Sequence, residues 1–216
     1  MGRRALRKID PKLDLSAHFF SVDELPNPWA PQQLFSEEAP LEIEVGSGKG
    51  LFLQNAAERT PKHNFLGVEV SFKYAQFTAA RLAKCHIANA IAVHGDGLRL
   101  FRELVPERSL EAVHVYFPDP WWKTRHHGRR VLNEAFLTDV VRTLRVEGRL
   151  HFWTDVQDYF DATLQIIAEK TPLEGPVAVP ERSAQHDLDY LTHFERRTRL
   201  NEAPVYRAEF VKVSGP

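Results

Sequence analysis

Short apolar stretches alternate along this chain with longer segments in which apolar residues recur at helical spacing. Five of the apolar stretches predict buried strands, which start at Leu41, Asn64, Ala90, Leu110 and Arg149. Helical spacing predicts helices over 51–59, 72–86, 98–104, 134–144 and 156–170. Strands that alternate with helices in this way are typical of a parallel α/β sheet with helices on both faces.

The two ends of the chain are less regular. Residues 1–40 show no clear periodicity and hold several prolines, so we expect regular structure to begin at Leu41. We predict an N-terminal arm over 1–40 and one large domain over 41–216. Prolines predict an irregular segment from 172 to about 189, and the alternation over 205–213 predicts a last strand.

Basic residues are concentrated at the start of the chain, where they occupy positions 3, 4, 7, 8 and 12. This arm is either a solvated extension or a segment that orders when it meets phosphate. The start lacks the apolar stretch of a signal peptide, and no apolar run approaches the roughly 18 residues of a membrane span. We therefore expect a cytoplasmic protein without a membrane partner.

Composition excludes several classes of protein. The formal net charge is −1, so any binding of nucleic acid must depend on a local basic patch. The single cysteine, Cys85, excludes an internal disulfide and a multi-cysteine metal site. We expect no metal, because no cluster of possible ligands has convincing zinc spacing.

One stretch, 116–132, concentrates unusual chemistry: it reads Y-F-P-D-P-W-W-K-T-R-H-H-G-R-R-V-L. Prolines on both sides restrict the backbone at Asp119. Two tryptophans follow, and then a basic tail that includes Lys123, Arg125, Arg129 and Arg130. Rings next to arginines suit a partner with flat bases and phosphates, so we predict that this stretch handles a nucleic-acid base.

An acidic residue lies at or near the carboxyl end of each of the first five predicted strands: Glu44, Glu69, Asp96, Asp119 and Asp155. Ligands of open α/β sheets bind outside the carboxyl ends of the strands. A row of carboxylates there predicts a ligand that offers hydrogen-bond donors or positive charge.

Three glycines, Gly46, Gly48 and Gly50, follow the first predicted strand. They do not fit the phosphate-binding P-loop or the G-x-G-x-x-G dinucleotide motif. The pattern that remains, E-x-G-x-G-x-G, is typical of Rossmann-like methyltransferases that use S-adenosylmethionine. That cofactor carries two positive groups and no phosphate, so an acid beside the loop favours its binding. Glu69 is placed to hold the ribose hydroxyls, and Asp96 to accept from the adenine amino group.

With these motifs in hand, the chain resembles the bacterial tRNA (guanine-N7)-methyltransferases from about Leu41 to Val213. The glycine motif is the less specific part. F-P-D-P-W-W-K-T-R-H-H-G-R-R is highly specific, and so is T-H-F-E followed by V-Y-R. The resemblance implies a Rossmann-like class I methyltransferase with a mostly parallel sheet of about seven strands. It also implies methyl transfer from S-adenosylmethionine to N7 of guanine 46 in the variable loop of tRNA, which leaves S-adenosylhomocysteine.

The same resemblance implies roles for individual residues. Asp119 would be the catalytic residue, an active-site carboxylate where cofactor and guanine meet, and the cofactor would contact it together with Glu44, Gly46, Gly48, Gly50, Glu69 and Asp96. Substrate contacts would come from Lys123, Asp155, Thr192, His193, Phe194 and Glu195, while Arg125, Arg129 and Arg130 grip the RNA. Two positions depart from the usual family pattern: Trp122 replaces a proline and Gly128 a lysine.

Some details stay open at this stage. Either Asp155 or Glu195 would select guanine, and either Trp121 or Trp122 would provide a stacking platform. Residues 192–195 also read as a helix cap. We expect a monomer or a homodimer.

Rival functions are a methyltransferase that acts on an exocyclic amine or a protein side chain, and an RNA-binding module without activity. A nicotinamide-dependent dehydrogenase is the weakest rival, because the third glycine of its fingerprint is missing.

Overall fold

An eight-stranded sheet with helices on both faces forms the framework of the protein. The computed structural model describes residues 6–30, 33–121, 124–181, 183–184, 186 and 189–213. The strands are β1 (Phe19–Ser21), β2 (Leu41–Val45), β3 (Asn64–Glu69), β4 (Ala90–His94), β5 (Leu110–Tyr116), β6 (Leu144–Thr154), β7 (Leu173–Ala178) and β8 (Tyr206–Lys212). The helices are α1 (Leu51–Arg59), α2 (Phe72–Lys84), α3 (Gly97–Glu103), α4 (Glu134–Thr143), α5 (Gln157–Lys170) and α6 (His193–Leu200).

The strand order in the sheet is β1-β4-β3-β2-β5-β6-β8-β7. All neighbours from β1 to β6 pair in parallel, whereas β8 runs antiparallel to both β6 and β7. The connections run outward in one direction from β2 and in the other direction from β5. The carboxyl ends of these two strands therefore flank the topological switch point, where open α/β sheets bind their ligands.

Two apolar clusters hold the layers together, one on each face of the sheet. The larger includes Phe101 of α3, Phe136 of α4 and Ile167 of α5, all fully buried or nearly so. The smaller joins α1 and α2 to the other face through Phe52, Leu53, Leu82 and Tyr116. The predicted mostly parallel sheet with helices on both faces is confirmed.

The expectation that regular structure begins at Leu41 is wrong. Strand β1 pairs in parallel with β4, and Val22, Leu25, Trp29 and Phe35 are buried in the larger cluster. A strand of three residues is too short to show periodicity, and single apolar anchors between prolines leave no regular pattern.

Two further boundaries differ from the expectation. Strand β7 lies in the segment predicted to be irregular, at the edge of the sheet, where the register shift between Glu174 and Val177 accommodates Pro176. Strand β6 begins directly after α4, at Leu144, and not after Gly148. A Cβ atom at position 148 would come within 2.8 Å of the Arg145 carbonyl, so glycine serves the bulge of β6.

A buried lysine closes the end of helix α4. The side chain of Lys212, in β8, donates from Nζ to the carbonyls of Val141 at 2.8 Å and Leu144 at 3.1 Å. These carbonyls lie where a helix runs out of its own donors, so the ammonium group satisfies both. In the described part of the chain, no helix combines the length and the apolar character that a bilayer crossing requires.

Candidate active site

The glycine loop leaves β2 in a conformation that favours glycine. Gly46, Gly48 and Gly50 have φ values of +82°, +56° and +70°, in the left-handed region that other residues rarely adopt. A Cβ atom at Gly50 would lie 2.4 Å from the Thr78 side chain, so this glycine lets α2 approach the loop. At Gly46 the same atom would meet nothing within 4 Å, so the loop is open there to a ligand.

Glu69 ties this loop to the neighbouring strand. One of its carboxylate oxygens accepts from the backbone N–H of Gly48 and the other from that of Ser71, both at 2.9 Å. Charge-assisted bonds of this kind are about twice as strong as neutral ones. The Glu69 carboxylate is therefore fixed in position at the end of β3.

Glu44 is the most enclosed acid of the row, with only 3% of its surface exposed. Among the described residues, nothing hydrogen-bonds to its Oε2 atom. Burial first, and then the nearby Glu69 charge, raise the pKa of its carboxyl well above the usual range. A buried acceptor beside an open glycine loop fits a ligand group that brings positive charge and donors.

Asp96 caps helix α3. Its carboxylate accepts from the N–H of Leu98 at 2.9 Å and from that of Arg99 at 3.5 Å. The cap holds this acid at the carboxyl end of β4, beyond Glu69 along the edge. Three acids and a loop of left-handed glycines thus line one half of the edge, and their donor set suits a ligand with cationic and hydroxyl groups.

The segment after β5 carries Asp119 on the other side of the switch point. Phe117 donates its N–H to the Trp153 carbonyl at 2.8 Å and has a φ of +49°, so the chain turns sharply out of the sheet. Asp119, two residues on, is exposed. Arg130 stabilises the turn, since its Nε donates to the Pro120 carbonyl at 2.9 Å.

The basic tail forms a 3-10 helix, Thr124–Arg129. Arg125 and Arg129 are exposed, and the Arg129 guanidinium lies 5.1 Å from the centre of the Trp121 ring. Arg130 is half-buried, with its guanidinium 4.5 Å from the Tyr159 ring. Trp122 and Lys123 lie outside the described residues. At Gly128 a Cβ atom would meet nothing within 4 Å, so space alone does not demand glycine there.

Asp155 and Glu195, the two candidates for reading guanine, differ in exposure. Asp155 follows β6 directly and is exposed. Glu195 is 4% exposed, and one of its carboxylate oxygens accepts from Arg207 at 3.2 Å and Arg199 at 3.3 Å. Its other oxygen accepts from the N–H of Leu191 at 2.6 Å.

Thr192 caps helix α6, as the cap reading of 192–195 predicted. Its hydroxyl accepts from the Glu195 N–H at 3.0 Å. His193 and Phe194 are exposed at the start of the helix, where Nε2 of His193 accepts from Arg81 at 3.2 Å. The Phe194 ring lies 5.3 Å from the Phe117 ring, which brings α6 against the segment after β5.

The strand order places the five acids in one row along the carboxyl edge: Asp96, Glu69, Glu44, Asp119 and Asp155. Sequence reasoning gave no role to three residues that hold the site: Phe117, Arg81 and Arg207. Phe117 and Arg207 belong to the F-P-D-P and V-Y-R motifs, whereas Arg81 has no local signal. Among the described residues, no group of three or more His, Cys, Asp or Glu side chains could hold a metal ion.

Comparisons with known proteins cover most of the chain. Residues 38–208 match a family model described as a putative methyltransferase. A tRNA (guanine-N(7)-)-methyltransferase from Rhodopirellula baltica is 50% identical over 220 aligned positions, which cover 99% of this chain and 81% of the relative. An enzyme of the same name from Aeromonas hydrophila is 31% identical and is covered over 74% of its length, against 82% of this chain.

Solved structures of low sequence identity share the fold. The 16S rRNA methyltransferase KamB superposes with a TM-score of 0.61 at 17% identity, which covers 84% of this chain and 92% of KamB. A SAM-dependent O-methyltransferase from Thermotoga maritima gives a TM-score of 0.54 at 17% identity, over 83% of this chain and 62% of that one. Both likenesses confirm the Rossmann-like methyltransferase fold.

Proposed function

The chain belongs to the tRNA (guanine-N(7)-)-methyltransferase family, and on that basis we propose that it methylates N7 of guanine 46 in the variable loop of tRNA. We propose S-adenosylmethionine as the methyl donor and the cytoplasm as the place of action. The observation that carries the proposal is the row of five acids along the carboxyl edge of the sheet. The open glycine loop lies beside Glu44, the most buried acid of the row.

The cofactor half of the edge is formed by the glycine loop and three acids. When bound, S-adenosylmethionine supplies a methyl group on a positively charged sulfur. Gly46, Gly48 and Gly50 would let the backbone approach it, and Glu44 would offer to a cationic group the oxygen to which no described residue hydrogen-bonds. Glu69 would hold the ribose hydroxyls, and Asp96 would accept from the adenine amino group.

Asp119 would be the catalytic residue. N7 of guanine has an in-plane lone pair and no proton, so no residue needs to act as a general base. The site must instead orient the purine and tolerate the positive charge that develops on it. An exposed carboxylate held between two prolines next to the switch point can do both.

Asp155 is the better placed of the two acids that could select guanine. The Watson–Crick edge of guanine offers N1–H and N2–H donors, which a carboxylate can accept. Asp155 is exposed at the end of β6, whereas Glu195 is buried and binds two arginines. We assign guanine selection to Asp155 and assign Glu195 to holding the rim formed by 192–195.

Contact with the tRNA backbone is proposed for the basic tail. Arg125 and Arg129 are exposed, Arg130 holds the tail on the protein, and Lys123 is added from the sequence. Thr192 and His193 would complete the contact from α6. Because the net charge is only −1, this local patch must supply the attraction for phosphates.

Methyl transfer to defined tRNA transcripts tests the proposal. We expect labelled methyl transfer to a transcript with guanine at position 46 and none when adenine stands there. A transcript with 7-deazaguanine at 46 is the matched control, since it keeps the exocyclic amine and loses only N7. Transfer to the 7-deazaguanine transcript would contradict N7 as the acceptor and would favour methylation of an amine.

A further inference from the structure

Three side chains form a continuous stack at the start of helix α6. The Phe117 and Phe194 rings are 5.3 Å apart and 25° from coplanar. The guanidinium carbon of Arg197 lies 4.0 Å from the centre of the Phe194 ring. Phe194 is 39% exposed and Arg197 is exposed, so the outer part of this stack faces solvent.

Contacts from three other elements and the helix's own N-cap hold the base of α6 in place. Glu195 binds Arg207 of β8, and the Thr192 hydroxyl caps the helix. Asn55 of α1 donates to the Tyr190 carbonyl at 3.1 Å, and Arg81 of α2 donates to His193. The stack is therefore presented by a fixed helix, which lowers the cost of ordering it when a partner binds.

The position of the stack relates it to the proposed chemistry. Phe117 is two residues from Asp119, and both follow β5 at the switch point. The stack is an additional aromatic surface beside the tryptophans that the sequence suggested, of which the described one, Trp121, has the Arg129 guanidinium 5.1 Å from the centre of its ring.

We propose that the Phe117–Phe194–Arg197 stack binds a nucleobase that flanks the target guanine. This flanking base lies against the exposed Phe194–Arg197 pair. This inference rests on the proposed function and adds a specific contact to it. A guanidinium is planar, delocalised and weakly hydrated, so it stacks on bases as an aromatic ring does. Such stacking tolerates any base, because every base has a π face.

Variants at the two outer members test the stack. We expect Arg197→Ala and Phe194→Leu each to raise the KM for tRNA about tenfold, with kcat within about twofold and affinity for S-adenosylhomocysteine unchanged. Arg197→Lys keeps the charge but loses the planar group. We therefore expect it to reverse less than half of the rise in KM that Arg197→Ala causes. Full recovery by lysine would overturn stacking and leave only attraction of phosphate.

A neighbouring arginine provides the matched charge control. Arg196→Ala removes one positive charge from the same helix and keeps all three side chains of the stack, and we expect it to raise KM by no more than about threefold. An equal loss from Arg196→Ala and Arg197→Ala would overturn the proposal. Thermal unfolding of each variant checks that the fold is intact, and Phe194→Leu and Arg197→Lys keep side-chain bulk for that reason.

Abasic tRNAs identify the base. The test compares methylation by the wild-type protein and by Arg197→Ala of transcripts that have an abasic site on the 5′ or the 3′ side of the target guanine. We expect the penalty of the variant to disappear on one of the two, because the base that it would have stacked on is gone. A penalty that persists on both would overturn the proposal. Failure of the wild-type protein to methylate the intact tRNA would instead refute the proposed function.

Discussion

The two halves of the carboxyl edge carry similar acids in very different surroundings. On the side of β2, β3 and β4, Glu44 is buried and Glu69 and Asp96 are bound by backbone N–H groups. On the side of β5 and β6, Asp119 and Asp155 are exposed and are accompanied by exposed arginines. On the first side the acids are therefore buried or held by backbone N–H groups, although Asp96 is itself exposed, whereas the two acids on the second side are presented to solvent.

This difference matches the size of the two proposed ligands. A small cofactor can be enclosed, so the groups that hold it are fixed in advance and their desolvation is met by the fold. A tRNA brings its own bases and phosphates and needs an open surface that it covers itself. We therefore expect the β2 half to govern cofactor affinity and the β5 half to govern turnover and RNA binding.

The largest effect is expected from Asp119→Ala. Loss of the carboxylate that we propose to orient guanine and to face its developing charge should lower single-turnover methyl transfer by at least about 100-fold. Titration calorimetry should show S-adenosylhomocysteine affinity within about twofold of wild type, because Asp119 lies outside the β2 half. Asp119→Asn, which keeps a hydrogen-bond acceptor, should recover only part of the rate. Wild-type turnover by Asp119→Ala would end the proposed division of labour.

Glu69→Ala should have the converse effect. It removes the acceptor for the Gly48 and Ser71 N–H groups as well as the proposed ribose contact. We expect S-adenosylhomocysteine affinity to fall about 10- to 100-fold in calorimetry, since bonds to charged groups contribute about 1.5–3 kcal/mol. Binding of tRNA, measured by filter retention, serves as the control and should stay within about twofold. An equal loss of S-adenosylhomocysteine affinity and tRNA binding would show that the two halves of the carboxyl edge are not independent.

Glu44→Gln should separate stability from binding. The raised pKa of Glu44 means that its stabilising contribution is full below the ordinary value of 4.5 and is lost as the pH rises toward the folded-state pKa. The neutral glutamine avoids that loss, so we expect the free energy of unfolding at pH 8 to rise by about 1 kcal/mol, with a smaller gain at pH 5. Cofactor affinity should fall about tenfold.

Urea unfolding at the two pH values measures the stability change of Glu44→Gln. The sign is the informative part, because a substitution that stabilises the free protein and weakens cofactor binding marks a carboxylate kept for its ligand. A destabilised variant that binds cofactor normally would make Glu44 a structural residue.

The smallest effect is expected from Arg129→Ala. Loss of this exposed arginine should lower tRNA affinity a few-fold and reduce the slope of log affinity against log salt by about 0.7–0.9. Arg130→Ala provides the comparison, because Arg130 binds the Pro120 carbonyl and packs on Tyr159. The Arg130→Ala substitution should therefore also lower the melting temperature. An unchanged salt slope in Arg129→Ala would move the RNA surface away from the basic tail.

Strands β2 to β6 and the five acids at their ends could be predicted from the sequence. Buried parallel strands are continuous apolar runs bounded by glycine, proline or a carboxylate, so both the strand and its end leave a local signal. The two edge strands of the sheet, β1 and β7, could not be predicted in the same way. Strand β1 has three residues, and β7 holds Pro176 and several exposed positions, so each depends on its neighbour for its conformation.

Within the site, residue types were easier to predict than their partners. The acid of T-H-F-E stood out, but its burial depends on Arg207 and Arg199, which meet it only in the fold. The Phe117–Phe194 contact joins positions 77 residues apart, and nothing near either ring indicates the other. Contacts of this kind depend on tertiary structure and leave no periodic trace in the chain.

The antiparallel insertion of β8 between β6 and β7 has a consequence for protein synthesis. A ribosome makes β7 first, yet the strand that joins β7 to the sheet comes later in the chain. Until β8 has left the exit tunnel, the nascent chain cannot bring Arg207 to Glu195 or Lys212 to the end of α4. The glycine loop and its three acids can form early in translation, whereas the rim beside Asp155 is completed last.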